Sequence, residues 1–342
     1  MDYKSSGVDI DAGLEVVRRI KGLARSTFTP GVLSEIGSFG GLFRLEPGRF
    51  DDPVMVASAD GVGTKLKVAF LANRHDTVGE DLVNHCVNDI LVQGARPLFF
   101  LDYLATGRLA PDVAEQIVAG IARGCRANGC ALLGGETAEM PGFYAAGEYD
   151  LAGFIVGAVD RGAIVDGRSL RPGDALVGLP STGLHTNGYS LARRIVFDEL
   201  GLAVDSVVPA LGTTVGEALL AVHRSYLRAV EPLLADRGLV LGMAHITGGG
   251  ITDNLPRIFP EGVGAWIDRR AWDVPPVFRF LGEAGHVPDA DMFRSFNMGI
   301  GLIVACRPAD ADRVVETLTR QGERPAVIGE IVEGERAVSY VG

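Results

Sequence analysis

The sequence lacks the features that mark membrane, disulfide-bonded and nucleic-acid-binding proteins. No apolar run in its 342 residues approaches the ~20 residues that cross a bilayer. Four cysteines are too few for a disulfide framework, and Cys125 and Cys130 lack the CxxC spacing of a zinc site. The net charge is −11, with no basic stripe carrying interleaved aromatics, which argues against a nucleic-acid surface. Residues 1–6 are polar and have no signal-peptide core, so we expect a cytoplasmic protein.

Glycine, by contrast, is abundant, and its 46 residues cluster in short motifs. Such clusters are typical of places where the backbone turns with positive φ or approaches a ligand closely. The chain is long enough for two domains with substantial cores. A polar, Pro- and Gly-containing stretch at 167–174 predicts the boundary, which gives an N-terminal domain of residues 1–167 and a C-terminal domain of residues 168–342.

Strands and helices alternate in both halves, and a capping box of Thr77 and Glu80 predicts the start of one helix. The expected strands are 53–59, 97–103, 130–133, 149–160, 175–179, 263–268 and 297–306, with two short strands at the end. The expected helices are 77–94, 111–128, 188–200, 214–235, 308–321 and one from a glycine turn at 248–250 to about 259. This order predicts an α/β (α+β) protein of two α/β sandwich domains, and not a doubly wound parallel sheet.

The helix expected at 77–94 carries an unusual polar face. Its polar residues recur at i, i+3, i+4, i+7 and i+8, which is one helical stripe: Asp81, Asn84, His85, Asn88 and Asp89. Two carboxylates, two carboxamides and an imidazole suit a hydrated cation or a phosphate better than they suit bulk solvent. The helix dipole favours cations at the end where Asp89 lies, so a bound divalent cation would explain this residue. A capping or salt-bridged Asp is the alternative.

A glycine turn follows the strand at 53–59. The run from Asp60 to Lys65 reads Asp-Gly-Val-Gly-Thr-Lys, in which the glycines allow backbone N–H groups to face an anion. Lys65 can reach phosphate oxygens as a point charge. The run does not match the P-loop pattern. The alternative interpretation is a strand-to-helix turn with an exposed lysine.

A second acidic motif lies at 134–142, where the sequence reads Gly-Gly-Glu-Thr-Ala-Glu-Met-Pro-Gly. We expect a loop bounded by glycines that follows a short strand. Such a loop can direct the Glu136 carboxylate and a hydroxyl towards a metal or a substrate nitrogen. A plain acidic loop is the alternative.

Two polar loops open helices in the second half. Residues 181–190 supply hydroxyls, His185 and Asn187 at a helix N-terminus, where anions are favoured, although N-capping explains part of this density. Residues 245–254 begin with His245 and include three consecutive glycines, which are costly in conformational entropy. We expect this loop to wrap a phosphate, with a plain turn as the alternative. At 296–301 the apolar alternation indicates core packing, and only Asn297 is a candidate contact.

Taken in order, these motifs resemble the phosphoribosylformylglycinamidine cyclo-ligase family, also called aminoimidazole ribonucleotide synthetase. The resemblance covers essentially the whole chain and rests on residues 5–13, 60–65, 87–89, 97–103, 134–142, 185–190 and 247–250. Related synthetases and kinases share single motifs. The combination of Ser-Gly-Val-Asp-Ile-Asp-Ala-Gly at 6–13 with Gly-Glu-Thr-Ala-Glu-Met-Pro-Gly at 135–142 is specific to the cyclo-ligases. Leu184 and Met298 depart from the family pattern and affect only fine substrate contacts.

The resemblance implies a reaction and an assembly. ATP and formylglycinamidine ribonucleotide would give 5-aminoimidazole ribonucleotide, ADP and phosphate, a step of purine biosynthesis. The formamide oxygen would be phosphorylated to an iminophosphate, and the amidine nitrogen would then close the ring. The implied assembly is a cytoplasmic homodimer formed through the N-terminal domains, which bind ATP and Mg²⁺, while the C-terminal domains complete the phosphate and substrate site. Whether K⁺ is also required is left open.

The resemblance also assigns roles to residues. Contacts to ATP and phosphate are assigned to Asp60, Gly61, Gly63, Thr64, Lys65, Asn88, Asp89, Asn187, Thr247, Gly248, Gly249 and Gly250. The metal ligands are Asp60, Asp89 and Glu136. The catalytic candidates are Lys65, Glu136, His185 and His245.

Two other readings remain open. The first is another ATP-dependent kinase or synthetase of the same superfamily, which a substrate screen would separate. The second is a non-catalytic nucleotide-binding or assembly subunit, against which the intact set of Asp60, Lys65, Asp89 and Glu136 speaks.

Overall fold

The computed structural model of the protein describes residues 6–37 and 39–342. Ser5 of the N-terminal motif, most of the polar stretch at 1–6, and Ser38 lie outside the described residues. The chain forms two compact units, one containing the residues up to Ile90 and Ala95–Arg161, the other Leu91–Gly94 and Gly162–Gly342. The division of function at residue 167 stays a prediction. Within the described ranges, the helices are all too short or too polar to cross a bilayer.

The first unit is built on a four-stranded mixed sheet. Its elements are α1 (Ile10–Arg25), β1 (Pro53–Gly61), α2 (Lys65–Ala72), α3 (Val78–Leu91), β2 (Arg96–Thr106), α4 (Pro111–Ala127), β3 (Ala131–Glu139) and β4 (Tyr149–Asp160). The strand order is β1-β4-β2-β3, in which β2 and β3 run parallel and the other neighbours antiparallel. The mixed sheet confirms the predicted α/β class.

The period-2 pattern of β1 decides which of its residues can join a site. Val56 is buried and Ser58 and Asp60 are half-buried, whereas Met55, Ala57 and Ala59 on the opposite face are exposed. Asp60 pairs with Gly153 of β4, where an added Cβ would lie 2.2 Å from Phe100 and 2.9 Å from Leu82 of α3. Residues 58 and 60 therefore lie on the sheet face that α3 covers.

The second unit contains a six-stranded sheet with the order β12-β9-β11-β5-β10-β8, in which only β12 and β9 run parallel. Its strands are β5 (Ala175–Pro180), β8 (Gly242–His245), β9 (Val263–Asp268), β10 (Ile300–Cys306), β11 (Ala326–Glu333) and β12 (Val338–Val341), with a ribbon of β6 (Val207–Val208) and β7 (Thr213–Thr214). Its α-helices are α5 (Tyr189–Arg193), α6 (Val215–Leu219), α7 (Leu227–Leu234), α8 (Gly250–Asn254), α9 (Pro276–Ala284), α10 (Asp289–Ser295) and α11 (Ala311–Arg320).

The core of this unit lies between one face of the sheet and the chain around α8. It is formed mainly by Leu, Ile and Ala side chains of β5, β8, β9, β10 and β11, such as Ile267, Ile303 and Ile331, packed with Ile251 and Leu255. The four cysteines, all among the described residues, are buried free thiols.

Three local predictions are wrong. Thr77 does not form a capping box, because its hydroxyl is buried without a hydrogen-bond partner, while Glu80 pairs with Arg123 at 2.6 Å. Residues 134–139, expected as a loop, continue β3 because they pair with β2 along their whole length. The single helix expected at 214–235 is divided into α6 and α7 by an irregular stretch at 220–226 that carries buried side chains.

Candidate functional site

Four polar side chains meet where β1 packs against α3. Asp60 and Ser58 come from alternate positions of the strand, and His85 and Asp89 lie one turn apart on the helix. His85 Nε2 lies 2.7 Å from Asp60 Oδ2 and 3.8 Å from Asp89 Oδ2. Ser58 Oγ donates to Asp89 Oδ2 at 3.1 Å. The side chains of Asp60 and Asp89 keep 41% and 24% of their surface exposed. We call these four residues the carboxylate cluster; it has oxygen donors that a hard divalent cation prefers.

The imidazole of His85 is the positive partner of this cluster. Burial lowers the pKa of His85, but the hydrogen bond to Asp60 and the negative charges of Asp89 and Asp60 outweigh burial and hold the pKa above its usual range. His85 thus offsets part of the repulsion between the two carboxylates. The sequence places His85 in the polar stripe but gives it no role.

The rest of the polar stripe is used inside the first unit. Asp81 forms an ion pair with Lys65, and Asn84 Oδ1 accepts from Asn128 Nδ2 at 2.8 Å. Asn88 is fully buried. The stripe therefore has two parts. Asp81 and Asn84 form contacts within the first unit, whereas His85 and Asp89 belong to the carboxylate cluster. Asn88 was expected to contact ATP, but its side chain does not face solvent, where a nucleotide could reach it.

The structure differs from the expectation that Lys65 contacts phosphate. Its Nζ lies 2.8 Å from Asp81 Oδ2, and both side chains are completely buried. Burial lowers the pKa of Lys65, and the charge of Asp81 and the hydrogen bond to it act in the opposite direction. In this conformation Lys65 has a structural role, because its charge is paired below the surface.

The glycine turn after β1 keeps its backbone close to the carboxylate cluster. Gly61 N donates to the carboxylate of Asp60 at 2.7 Å, so this amide already has a partner. Gly63 has φ 65°, in the left-handed region that favours glycine, and an added Cβ would meet nothing within 4 Å. Gly63 and Thr64 thus border open space at the start of α2, and a ligand can approach the backbone there.

Glu136 does not join the carboxylate cluster. Strand register aligns Gly61 with Ala152, Ala152 with Tyr103 and Tyr103 with Glu136, so Glu136 lies three strands from Gly61, about 14 Å at the usual strand spacing. This register also places Glu136 on the sheet face opposite Asp60, because successive side chains alternate. One metal ion held by Asp60 and Asp89 cannot also be held by Glu136 of the same chain.

Glu136 instead lines a cleft of about 670 Å³ in the first unit. The cleft lies beside β3 and is bordered by α1, by residues 35–37 and 39–41, and by strand residues that include Asp102, Tyr103, Gly134, Gly135 and Thr137. Its volume is in the range of small-molecule sites. Gly135 is required here, because an added Cβ would lie 2.3 Å from Asp102 Oδ1.

Asp102 is a site residue that sequence analysis missed. The pKa of Asp102 is raised to about 7, chiefly because the carboxyl is removed from bulk water; backbone hydrogen bonding opposes the shift, and the negative charge of Glu136 adds to it. An aspartate inside an otherwise apolar strand is a signal that could have identified it, because unpaired carboxylates are rarely placed in strand interiors. A carboxyl that titrates near neutral pH marks the cleft as a candidate binding site.

We expect Asp102→Asn to change how stability depends on pH. The folded-state pKa is about 7 and the unfolded-state value about 3.9, so the folded protein binds more protons between these values. Stability of the unmodified protein should therefore fall as pH rises from 5 to 8, and this component should be absent in Asp102→Asn. Thermal unfolding at pH 5, 6.5 and 8 measures how stability changes with pH, and the substitution Asp51→Asn at an exposed position is the control. Parallel pH profiles for the Asp102 variant and the unmodified protein would contradict the assignment.

In the second unit, Asn187 lies beside residues 247–250, which we call the glycine-rich loop. An added Cβ at Gly248 would be 3.4 Å from Asn187 Oδ1. The Asn187 Nδ2 atom is buried and makes no hydrogen bond to the described residues. A buried donor without an acceptor is unfavourable by about 1–3 kcal/mol, so a ligand oxygen at this position would satisfy it. Gly248 is the exposed member of the three glycines.

Packing explains the other two glycines. Gly249 and Gly250 have φ of 97° and 60°, and an added Cβ at Gly250 would lie 1.9 Å from the Phe293 carbonyl oxygen. Asn254 Nδ2 donates to the carbonyl oxygens of Thr247, Gly248 and Gly250 at 2.9–3.3 Å and holds the loop in place. The loop is therefore rigid, and its contact to a phosphate remains a prediction that rests on Gly248.

Three histidines of the second unit form a buried cluster: His185, His223 and His245. His223 Nε2 lies 3.1 Å from His245 Nε2, and the rings of His185 and His223 stack at 4.0 Å between centroids. His185 has φ 60°, and its Nε2 accepts from the backbone N–H of Thr182 at 3.2 Å. The sequence identifies His185 and His245 but misses His223, because 214–235 is expected as one continuous helix.

Gly301 provides the space for this cluster. An added Cβ would lie 2.5 Å from His185 Cε1 and 2.1 Å from Tyr226 Oη. We expect Gly301→Ala to destabilise the protein by about 1–3 kcal/mol, because these buried rings must shift. Urea denaturation measures the change. Gly22→Ala in α1, where an added Cβ meets nothing, is the control and should stabilise by up to about 1 kcal/mol. Equal stability of Gly301→Ala and the unmodified protein would contradict this packing.

Asn297 has a structural role and does not face a ligand. The side chain is buried, its Nδ2 donates to the Gly183 carbonyl at 2.9 Å, and its Oδ1 accepts from Ser181 Oγ and from the Gly299 backbone N–H. These bonds fasten the loop that carries His185 to the start of β10.

Two models of one protein family match this chain. The model of the N-terminal domain of AIR synthase related proteins matches residues 43–159, and that of the C-terminal domain matches residues 171–342. The chain is 58% identical to the phosphoribosylformylglycinamidine cyclo-ligase of Trichlorobacter lovleyi, over 96% of this chain and 94% of that protein. It is 53% identical to the protein of the same name from Desulfitobacterium hafniense, over 99% of each.

Solved structures share the fold. A thiamine-monophosphate kinase from Stenotrophomonas maltophilia superimposes with a TM-score of 0.68 at 19% identity, over 96% of each chain. The hydrogenase maturation protein HypE in complex with ATP superimposes with a TM-score of 0.69 at 20% identity, over 93% of this chain and 88% of that one. At these identities the likeness concerns the fold alone.

Proposed function

The chain belongs to the phosphoribosylformylglycinamidine cyclo-ligase family, and we propose that it converts formylglycinamidine ribonucleotide and ATP into 5-aminoimidazole ribonucleotide, ADP and phosphate. The observation that carries this proposal is the similarity to cyclo-ligases along nearly the whole chain. The sequence motifs that support it include Asp60 and Asp89 of the carboxylate cluster and the glycine-rich loop at 247–250. The reaction would serve purine biosynthesis in the cytoplasm.

The chemistry needs an activated oxygen. The formyl oxygen of the substrate is a poor leaving group, so it first takes the γ-phosphoryl group of ATP and ADP is released. The amidine nitrogen then attacks the same carbon, the C–O bond breaks, and the oxygen leaves with the phosphate. One proton is released from the attacking nitrogen. The protein must chiefly hold two anionic ligands in line and balance their charge.

We assign Mg²⁺ to Asp60 and Asp89 of the first unit. Both carboxylates contact the same His85 and keep part of their surface exposed, which fits a hard cation with oxygen ligands. Bound Mg²⁺ would neutralise charge on the ATP phosphates. The backbone at Gly63 and Thr64 borders open space and can approach a phosphate. Glu136 is assigned to positioning a ligand in the cleft, since its place in the sheet does not suit the same ion.

In the second unit we assign phosphate and substrate contacts to Asn187, Thr247 and Gly248. The buried Asn187 Nδ2 is a donor without an acceptor among the described residues, beside the exposed Gly248. An anionic oxygen would complete this donor. His245, at the end of β8, is assigned to receive the proton released on ring closure. His185 is assigned to the same histidine cluster, where its ring stacks on that of His223.

We further propose that the protein is a homodimer formed through the exposed sheet face of the first unit. Met55 and Phe154 keep 55% and 44% of their surface exposed, and Ala57 and Ala59 extend the same apolar strand face. An exposed apolar sheet face of this kind is typical of a protein contact. Light scattering should give twice the mass of the chain, and Met55→Glu should shift it towards the monomer. A monomer in the unmodified protein would contradict the proposal.

The function is tested by measuring ADP, phosphate and aromatic amine together, with ATP and Mg²⁺ in the presence and absence of formylglycinamidine ribonucleotide. We expect one ADP and one phosphate for each amine formed, and only when the substrate is present. ADP without amine would indicate a sister kinase with another acceptor. No turnover of any kind would indicate a nucleotide-binding subunit.

A further inference from the structure

His223 lies in the histidine cluster but has no part in the function proposed above. It belongs to the irregular stretch between α6 and α7, and its side chain is completely buried. An imidazole buried in a protein normally has a partner for each nitrogen, because both are polar. Its partners therefore show what the side chain holds in place.

Each ring nitrogen of His223 lies within hydrogen-bond distance of a polar group in the second unit. Nδ1 lies 3.3 Å from Thr186 Oγ1, and Nε2 lies 3.1 Å from His245 Nε2. The ring is stacked on His185 with an angle of 14° between the planes. His223 thus connects the loop at 181–190 to the end of β8 through two hydrogen bonds and one stacking contact.

The contact between the two Nε2 atoms limits their protonation. For two neutral imidazoles to form this hydrogen bond, one Nε2 must carry the proton and the other must accept it. If His245 donates, its Nδ1 is the basic nitrogen, and His223 carries its own proton on Nδ1 and donates to Thr186 Oγ1. The reverse direction satisfies the same three groups but uses the basic nitrogen of His245 to accept from His223, so the role proposed for His245 as proton acceptor selects the first direction.

We propose that His223 is a positioning residue that fixes His245 in the tautomer with its proton on Nε2 and its Nδ1 basic. The proposal rests on the proposed function, in which His245 receives the proton of ring closure. Stacking on His185 and the bond to Thr186 hold His223 in the plane that this hydrogen bond requires. The three rings do not favour a shared metal ion in this conformation, because the parallel rings of His185 and His223 cannot direct their lone pairs to one point without rotating.

The test compares two substitutions. His223→Phe keeps the ring for stacking but removes both hydrogen bonds, whereas His223→Gln keeps an amide that can accept from His245. We expect His223→Phe to lower kcat by about 10- to 100-fold with little change in KM, and His223→Gln to restore most of kcat. The exposed His286→Gln is the matched control and should behave as the unmodified enzyme. Thermal unfolding of each variant shows that it is folded at the assay temperature.

A second readout does not depend on turnover. Nitrogen-15 NMR of the histidine side chains in the full-length protein reports which nitrogen of His245 carries its proton. We expect the Nε2-protonated form in the unmodified protein and a mixture of the two tautomers in His223→Phe. A wild-type kcat in His223→Phe, or an Nδ1-protonated His245 in the unmodified protein, would overturn the proposal. If the unmodified protein forms no amine, the proposed function fails, while the NMR result still decides the role of His223.

Discussion

Asp89→Asn is expected to lower the rate of amine formation by about 100- to 1,000-fold while the fold stays intact. The substitution keeps the shape of the side chain and an oxygen that can accept from Ser58 Oγ, but it removes a negative charge that Asp60 and Asp89 together present to a cation. The loss should appear in kcat and in a higher Mg²⁺ concentration for half-maximal rate. Steady-state kinetics over a range of Mg²⁺ concentrations measures both.

The control for this experiment is Asp51→Asn, which removes an exposed carboxylate of the same unit outside the carboxylate cluster. It should leave kcat and the Mg²⁺ dependence unchanged. If Asp89→Asn had the same kcat and the same Mg²⁺ dependence as the unmodified enzyme, the carboxylate cluster would not be the cation site. A melting temperature well below that of the unmodified protein would instead assign Asp89 to stability.

Lys65→Met should destabilise the protein by about 3–5 kcal/mol, because it leaves the charge of Asp81 buried without its partner. The double substitution Lys65→Met with Asp81→Leu removes both charges and should recover most of this loss. Urea denaturation measures the free energy of unfolding. Lys67→Met is a matched control, since the Lys67–Glu148 pair is partly exposed and its loss should cost under about 1 kcal/mol.

The same double variant decides between two roles of Lys65. If the lysine is structural, as its burial indicates, the double variant should recover stability and keep a KM for ATP close to that of the unmodified enzyme. Recovered stability with a KM for ATP raised tenfold or more would show that Lys65 reaches the phosphates in another conformation. Equal destabilisation of Lys65→Met and Lys67→Met would contradict the buried ion pair.

Local periodicity in the sequence accounts for part of the carboxylate cluster. The 3.6-residue period of α3 aligns His85 with Asp89, and the alternation of β1 places Ser58 and Asp60 on one face, although Asp60 was expected in the turn after the strand and Ser58 was not a predicted site residue. Both patterns are local, so they can be read without knowing the fold. They do not reveal which residue is paired below the surface. The partner of Asp81 is a lysine 16 residues earlier, and only the packing of α2 against α3 shows that this pair is closed to solvent.

The features that sequence analysis missed depend on contacts between distant segments. His223 and Asp102 acquire their importance from His245 and from the cleft, which the local sequence does not encode. Gly250 is required by its packing against Phe293 and Gly249 by its packing against Asp253, although in sequence both resemble part of a phosphate loop. Glu136 was expected beside Asp60, but strand order places three strand spacings between them. Residue type identified the glycines and Glu136 as candidates, and the fold decided which residues lie together.

The most direct test of the account follows the formyl oxygen. Formylglycinamidine ribonucleotide labelled with oxygen-18 in its formyl group is converted with unlabelled ATP, and the released phosphate is analysed by mass spectrometry. If the formyl oxygen is phosphorylated before ring closure, each phosphate should carry one labelled oxygen for each amine formed. Unlabelled phosphate, accompanied by amine and labelled water, would show that ATP is hydrolysed separately from ring closure and would contradict the proposed reaction.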